Sequence, residues 1–304
     1  VRLARRVLGA PAATILGDTA RRALLASLLM ATSLGLSSGS ARRLAVVTGA
    51  NKGIGYHIAD QLLKASPPHD VIIACRSEAR GAEAAKALGP GCTFEQLDVS
   101  DPASIDAFVG RLSKAKGAVH VLVNNAGVAF KGADPTPFKD QTGPTLRTNF
   151  YGTVALTEAM LPLLRKADSP RVVNVASMAG ALRQLSPPLQ REFAAEALDL
   201  EGLRALVRRF ESAVAAGRHK EEGWGSSNYG LSKLAVIAYT KELARRCPWL
   251  VANACCPGWC ATDMSSHRGP RSAQDGARNA VVLALLPDSG PTGTFWQNER
   301  ESVW

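Results

Sequence analysis

Tyr229 and Lys233 stand four residues apart in the string Tyr229-Gly230-Leu231-Ser232-Lys233, a spacing that puts both side chains on one face of a helix. A phenol with its ordinary pKa of about 10 exchanges protons poorly near neutrality. A lysine cation beside it favours the phenolate and brings that proton within reach. Ser177 directly follows the apolar run 172–176, and a hydroxyl held at a strand end can polarise a neighbouring carbonyl. The chemistry on offer is proton exchange at the oxygen of a carbonyl–alcohol pair. Tyr-xxx-Lys is a common string by itself, so its weight depends on what accompanies it.

A second group of residues binds rather than reacts. The apolar run 44–48 leads into Thr48-Gly49-Ala50-Asn51-Lys52-Gly53-Ile54-Gly55. Glycine admits φ > 0 and lets the backbone approach a pyrophosphate. The helix that follows presents free N–H groups and a partial positive charge to that anion. Between a strand and a helix, such a loop reads as a dinucleotide site. An acid at the end of the second strand would accept hydrogen bonds from the ribose hydroxyls of NAD. Here the strand ends in Cys75-Arg76, and Lys52 lies in the glycine loop. Two cations suit the extra phosphate of NADP(H), which arginine can bind bidentately.

These residues need a scaffold, and the hydrophobic pattern describes one. Nearly continuous apolar runs at 44–48, 71–75, 93–97, 119–123, 172–176 and 250–255 alternate with helical patterns at 54–65, 78–88, 102–115, 145–164 and 228–246. Runs of this kind are parallel strands covered on both faces. The alternation predicts a single α/β domain over 44–304, a Rossmann-type doubly wound parallel sheet. One stretch, about 186–217, breaks the alternation with Leu189, Phe193, Leu203, Leu206, Val207, Phe210 and Val214 at helical spacing. It predicts a helical insertion before Tyr229, with Ser186 as N-cap.

With these motifs in place, residues 44–304 resemble the short-chain dehydrogenase/reductase family, and within it the NADPH-dependent carbonyl reductases. The residues behind the resemblance are Thr48 to Gly55, Asn124-Asn125-Ala126-Gly127, Asn149, Ser177, Tyr229-xxx-Lys233 and Pro257-Gly258, with the longer strings NNAGVAFKGADPTPF (124–138), EGWGSSNYGLSK (222–233) and NACCPGWCATDM (253–264). The resemblance implies NADPH/NADP+ as cofactor and reduction of ketones, aldehydes and quinones by hydride transfer. It makes Tyr229 the general acid and Lys233 the residue that binds the nicotinamide ribose and lowers the Tyr229 pKa. Ser177 would hold the carbonyl oxygen, and Asn149 would order a relay water. Gly49, Asn51, Lys52, Gly53, Ile54, Gly55 and Arg76 would cradle the phosphates. Asp98 and Val99 would meet the adenine, Asn125 a ribose, and Thr262 the carboxamide.

For the substrate, the resemblance points to Trp259 as a wall for flat molecules, although a core tryptophan would carry the same letter. Phe130, Lys131 and Gln141 match a site for glutathione-conjugated carbonyls, where Lys131 either pairs with a carboxylate or is simply solvated. Ala261, Gly132 and Ala179 depart from the family pattern and bear on substrate preference. Ser177 and Tyr229 stand 52 positions apart, more than in most of the family. The extra helical segment would cover the surface through which relatives pair, leaving a monomer. Two other readings of the same residues are an NADP-linked prostaglandin or steroid alcohol dehydrogenase and a non-catalytic dinucleotide sensor.

Charge narrows the partners. The net charge is +10, but residues 1–43 hold +6 of it, with seven arginines against Asp18 alone. The remainder carries mixed charges, which argues against a nucleic-acid face. Six cysteines and no Asn-x-Ser/Thr acceptor fit a reducing, cytoplasmic setting. Cys255, Cys256 and Cys260 lack the histidine pair or second CxxC of a zinc site, so no metal is expected. Residues 1–43 form a basic, apolar extension outside the fold. Its run 23–36 is short for a bilayer and reads as a signal core, an organelle transit segment or a simple extension.

Overall fold

Strands that are apolar along their whole length need cover on both faces, and the fold supplies it. The computed structural model describes residues 42–304. The extension expected over 1–43 lies outside the described residues except for Arg42 and Arg43. The described residues form one sheet of eight strands: β1 (Arg43–Thr48), β2 (His69–Cys75), β3 (Cys92–Gln96), β4 (Val121–Asn124), β5 (Arg171–Val175), β6 (Val251–Cys255), β7 (Phe295–Gln297) and β8 (Arg300–Ser302). Their order is β3-β2-β1-β4-β5-β6-β7-β8, parallel through β7 and antiparallel at β8.

The helices are α1 (Gly53–Leu63), α2 (Glu78–Leu88), α3 (Pro102–Ala115), α4 (Phe138–Leu146), α5 (Gly152–Leu164), α6 (Pro187–Ala194), α7 (Leu200–Ala215), α8 (Asn228–Arg246) and α9 (Ala273–Ala284). Alternation along the strands sends side chains to two cores. Val46, Ile72, Leu122 and Val172 join one cluster, with Phe108 of α3, Met160 of α5, Leu203 and Phe210 of α7, and Leu234 of α8. Val47, Ile73, Val123 and Val173 face the other way, against Ile58 and Leu62 of α1 and Ala277 and Ala280 of α9. Each such Leu, Ile or Phe contributes about 1.5–3 kcal/mol through burial.

The winding direction reverses between β1 and β4, which leaves a crevice beyond the carboxyl ends of the strands. Thr48, Asn124, Val175 and Cys255 close their strands at that end. The site is therefore placed by topology before any side chain is considered.

The six expected strands lie within two residues of their places, and α2, α3 and α8 have the expected bounds. The helix expected at 145–164 is different. Helical structure starts earlier, at Phe138, and a π-helical turn at Arg147–Tyr151 separates α4 from α5. The insertion forms two helices, α6 and α7. Ser186 sits at the N-cap of α6 without a side-chain bond, whereas Asp199 caps α7 by accepting from Gly202 N at 2.8 Å. Helix α9 and the β7–β8 hairpin were not expected. Those strands have three residues each, and their turn uses Asn298 and Glu299 at positive φ rather than an Asn-Gly pair. Among the described residues, no helix is long and apolar enough to cross a membrane.

Candidate active site

Ser177 caps the short turn Met178–Gly180 directly beyond β5, its Oγ accepting from Ala179 N at 3.1 Å. Tyr229 occupies the first turn of α8, where Ser227 caps by accepting from Gly230 N at 2.8 Å. Lys233 follows one turn later, buried, and its Nζ donates to Val175 O at 2.7 Å. The lysine thus ties α8 to the strand end that carries Ser177. Its ammonium lies 5.8 Å from the centre of the Tyr229 ring.

Electrostatics at this cluster differ from expectation in one respect. Burial pushes the Tyr229 phenol up to about 12, while the Ser177 hydroxyl works against this by favouring the phenolate. Desolvation of the phenol outweighs the other influences on it, and Lys233 Nζ is turned to a backbone carbonyl. Burial also pulls Lys233 itself down to about 8, partly offset by Cys255 and Cys256.

Asn149 lies inside the π turn, a local widening that recurs at functional positions. Its Oδ1 accepts from Val128 N at 2.8 Å, and its Nδ2 donates to Val128 O at 2.9 Å and Ser232 Oγ at 3.0 Å. Ser232 Oγ in turn donates to Tyr229 O at 2.7 Å. The amide is therefore occupied in holding the loop after β4 against the first turn of α8. The amide side chain is thus a structural brace beside the first turn of α8, next to the place where a relay water is expected.

A cavity of about 510 Å³ opens beside this cluster, lined by the glycine loop, the ends of β2 and β3, the loop after β4, and residues 261–264 with His267. Gly49 and Gly53 adopt φ of 63° and 59°. A β-carbon on Gly49 would lie 2.9 Å from Ala126 Cα, so the loop must be bare at that point. Of the expected cofactor residues, Gly49, Asn51, Lys52, Gly53, Ile54, Arg76, Asp98, Val99, Asn125 and Thr262 line the cavity. Gly55, Tyr229 and Lys233 lie outside its lining. Gly55 is buried where a β-carbon would meet Asn125 Nδ2 and Gly49 O.

Lys52 is paired with Asp263 across the opening, and Asp263 also meets His267 Nε2 at 2.9 Å. Asn125 donates Nδ2 to Thr48 O at 2.9 Å and to Gly49 O at 3.2 Å. It thus shapes the loop from beneath while also lining the cavity. Asp98 accepts from Ser100 N and Oγ at 2.9 and 2.6 Å and holds the β3–α3 turn. Thr262 caps the turn Asp263–Ser265.

Sequence reasoning missed Ser77, Arg80, Val128, Thr148, Asp263, Met264 and His267, all of which line the cavity. Ser77 caps α2 by accepting from Arg80 N at 3.4 Å. That serine cap was the available signal, since it places Arg80 one turn away on the cavity side. Among the described residues, neither Arg76 nor Arg80 has a carboxylate partner within 4.0 Å. Two free guanidinium groups beside a helix N-terminus, with no acid at the end of β2, fit a ribose phosphate. The donor set suits NADP(H).

The expected substrate residues do not converge to the same degree. Trp259 is 63% exposed beyond β6, which removes the core-tryptophan reading. Phe130 is half-buried and Lys131 exposed. Gln141 donates Nε2 to Thr136 O at 2.7 Å, bracing the loop that carries Lys131.

Comparison with known proteins agrees with this geometry. The short chain dehydrogenase family model matches residues 43–187. Carbonyl reductase 1 (NADPH) of Rattus norvegicus is 41% identical over 278 residues, 87% of this chain and 99% of that protein. The Homo sapiens carbonyl reductase 1 (NADPH) is 41% identical over 282 residues, 88% of this chain and 100% of the relative. Among solved structures, salutaridine reductase from Papaver somniferum superposes with a TM-score of 0.78 at 32% identity, covering 84% of this chain and 99% of that one. An NADPH-bound carbonyl reductase from chicken fatty liver shares the fold, with a TM-score of 0.64 at 24% identity over 86% of this chain and 99% of the other. With this identity sustained over whole relatives, the chain belongs to the short chain dehydrogenase family.

Proposed function

We propose that this protein is an NADPH-dependent carbonyl reductase that turns ketones, aldehydes and quinones into alcohols. The observation that carries the reading is the convergence of Ser177, Tyr229 and Lys233 next to a cavity that Arg76, Arg80 and Gly127 line, where a β-carbon on Gly127 would lie 3.5 Å from Lys233 Nζ. When bound, NADPH supplies a hydride to the carbonyl carbon. The protein's own groups do the rest. Ser177 holds the carbonyl oxygen as charge develops on it, and Tyr229, protonated across the neutral range, delivers a proton to that oxygen. Lys233 fixes α8 to β5 and presents its cation beneath the phenol. The compartment is cytoplasmic on this reading, consistent with six unpaired cysteines.

Substrate preference rests on Trp259 and Lys131. Trp259 offers an exposed aromatic face for quinones and aryl ketones, and Lys131 an exposed cation for the carboxylates of glutathione adducts. NADPH oxidation is to be measured with a panel of menadione, aryl ketones and a glutathione adduct. Trp259→Ala is expected to lower kcat/KM for every aromatic substrate by about tenfold, the loss of one good aromatic contact. Lys131→Ala is expected to cost up to about fivefold, as for an exposed ion pair, on the glutathione adduct alone. Equal losses on both classes in the Lys131 variant would remove the glutathione assignment.

The protein works as a monomer on this reading. Helix α7 buries Leu203, Leu206, Val207, Phe210 and Val214 and packs across α8 and α4. Tyr151 of the π turn donates to Glu211 of α7 at 2.7 Å. The helix surface available for pairing in the family is thereby covered by the chain's own insertion. Sedimentation at micromolar concentration should show one species near the chain mass of 32.1 kDa. A stable dimer or tetramer would contradict it.

A further inference from the structure

Trp304 lies far from the cofactor cavity in sequence and carries no motif, yet it reaches the turn that presents Ser177. The β7–β8 hairpin pairs with β6 and returns the chain along the sheet edge, and two residues beyond it the Trp304 indole Nε1 donates to Gly180 O at 2.9 Å. The ring lies 5.7 Å from Lys241 Nζ on α8. It packs against the small buried cluster of Ala176, Val236, Ile237, Ala254, Cys256 and Phe295. Ala176 immediately precedes Ser177, and Gly180 follows it by three.

The other side of the same turn is equally confined. A β-carbon on Gly180 would lie 2.7 Å from the carbonyl carbon of Lys233 and 2.7 Å from Leu234 N. The turn is therefore pressed onto the α8 backbone at Lys233, with the indole closing it from behind. Gln184 adds a second brace by donating Nε2 to Ala179 O at 2.8 Å. Three fixed points thus surround Ser177: the packed Ala176, the braced Ala179 and the Gly180 carbonyl held by Trp304.

We propose that Trp304 is a positioning residue for the reduction: its indole N–H clamps the Met178–Gly180 turn so that the Ser177 hydroxyl meets the carbonyl oxygen beside Tyr229. The inference rests on the carbonyl reductase reading and deepens it. Gly180 is buried, and losing the indole donor leaves a part-buried carbonyl that the turn must move to satisfy. A displacement of about 1 Å at a reacting group can cost about 10²-fold in rate. The cost falls on the step in which Ser177 touches the developing oxyanion, with the cofactor cavity left as it is.

The test is a double-mutant cycle in the whole chain, with Trp304→Phe, Ser177→Ala and the pair, read by single-turnover NADPH oxidation with menadione and by NADPH binding. Trp304→Phe keeps the ring and removes the N–H. It is expected to slow hydride transfer by about tenfold or more with NADPH affinity unchanged within about twofold. In the Ser177→Ala background the same substitution is expected to change the rate by less than about twofold, since coupled residues fail to add. Should the phenylalanine variant fail to fold, Trp304→Tyr removes the indole N–H in the same cycle. Equal losses in both backgrounds, or no loss in the first, overturn the clamp while leaving the enzyme's activity assigned. A wild-type chain that oxidises no NADPH with any carbonyl overturns the functional reading, and this inference with it.

Discussion

Replacing Arg76 with aspartate is expected to lower kcat/KM with NADPH by about 10²-fold or more, while kcat/KM with NADH holds or rises. Arg76 is exposed at the end of β2, has no acidic partner among the described residues, and lines the cavity beside Ser77 and Arg80. A charge-assisted hydrogen bond contributes about 1.5–3 kcal/mol, and arginine can make two of them to one phosphate. Aspartate removes these and adds repulsion against the same group, whereas toward NADH it supplies the acceptor that ribose hydroxyls prefer. Arg80 remains in place, so the loss should deepen when Arg80→Ala is added. Because the substitution is at an exposed site with no structural partner, stability should change by less than about 0.5 kcal/mol. Lower activity can then be read as lost recognition. Steady-state kinetics with both cofactors decide the matter, and an unchanged kcat/KM with NADPH would remove Arg76 from the phosphate site.

Arg76 and Arg80 also mark how far the sequence could be read. Arg76 was legible because it directly ends a strand whose apolar run is unmistakable, so its position follows from local order alone. Arg80 was not, although the Ser77 cap gave a hint, because its reach into the cavity depends on how α2 packs against the sheet. The same division runs through the site. Tyr229 and Lys233 share a helix face by spacing, and the bare glycine loop follows from its place between β1 and α1. Contacts that join distant segments left no periodic trace. Lys52 meets Asp263 across 211 positions, Asn125 reaches back 77 to Thr48, and Trp304 lies 124 residues from Gly180. The π turn at Asn149 leaves the apolar pattern of a continuous helix intact, because one extra residue barely disturbs it. The partners that the Asn149 amide finds there, Val128 and Ser232, are tertiary. Local chemistry and element order were thus available from the chain, and second partners were not.

Tyr229→Phe is expected to reduce kcat by about 10²–10⁴-fold, the usual contribution of a positioned general acid, with NADPH affinity unchanged within about twofold. The substitution deletes one oxygen and keeps the ring, and Tyr229 lies outside the lining of the cofactor cavity, so binding has no reason to weaken. The wild-type pH profile supplies an independent check on which group titrates. Burial holds the phenol up at about 12, so the acid stays protonated throughout the neutral and mildly alkaline range. Lys233 is pulled down to about 8 by its own burial, and a lowered lysine loses its charge earlier as pH rises. The ammonium is therefore intact below that value and discharged above it. Since kcat/KM reports the free enzyme, it should stay level below about pH 8 and fall above it, long before a free phenol would ionise at about 10. Menadione reduction followed by NADPH absorbance from pH 6 to 10.5 measures both effects. A phenylalanine variant that keeps most of its turnover would mean that the proton comes from another donor. A profile that breaks only above pH 10 would mean that the Lys233 charge is not required at the step being measured.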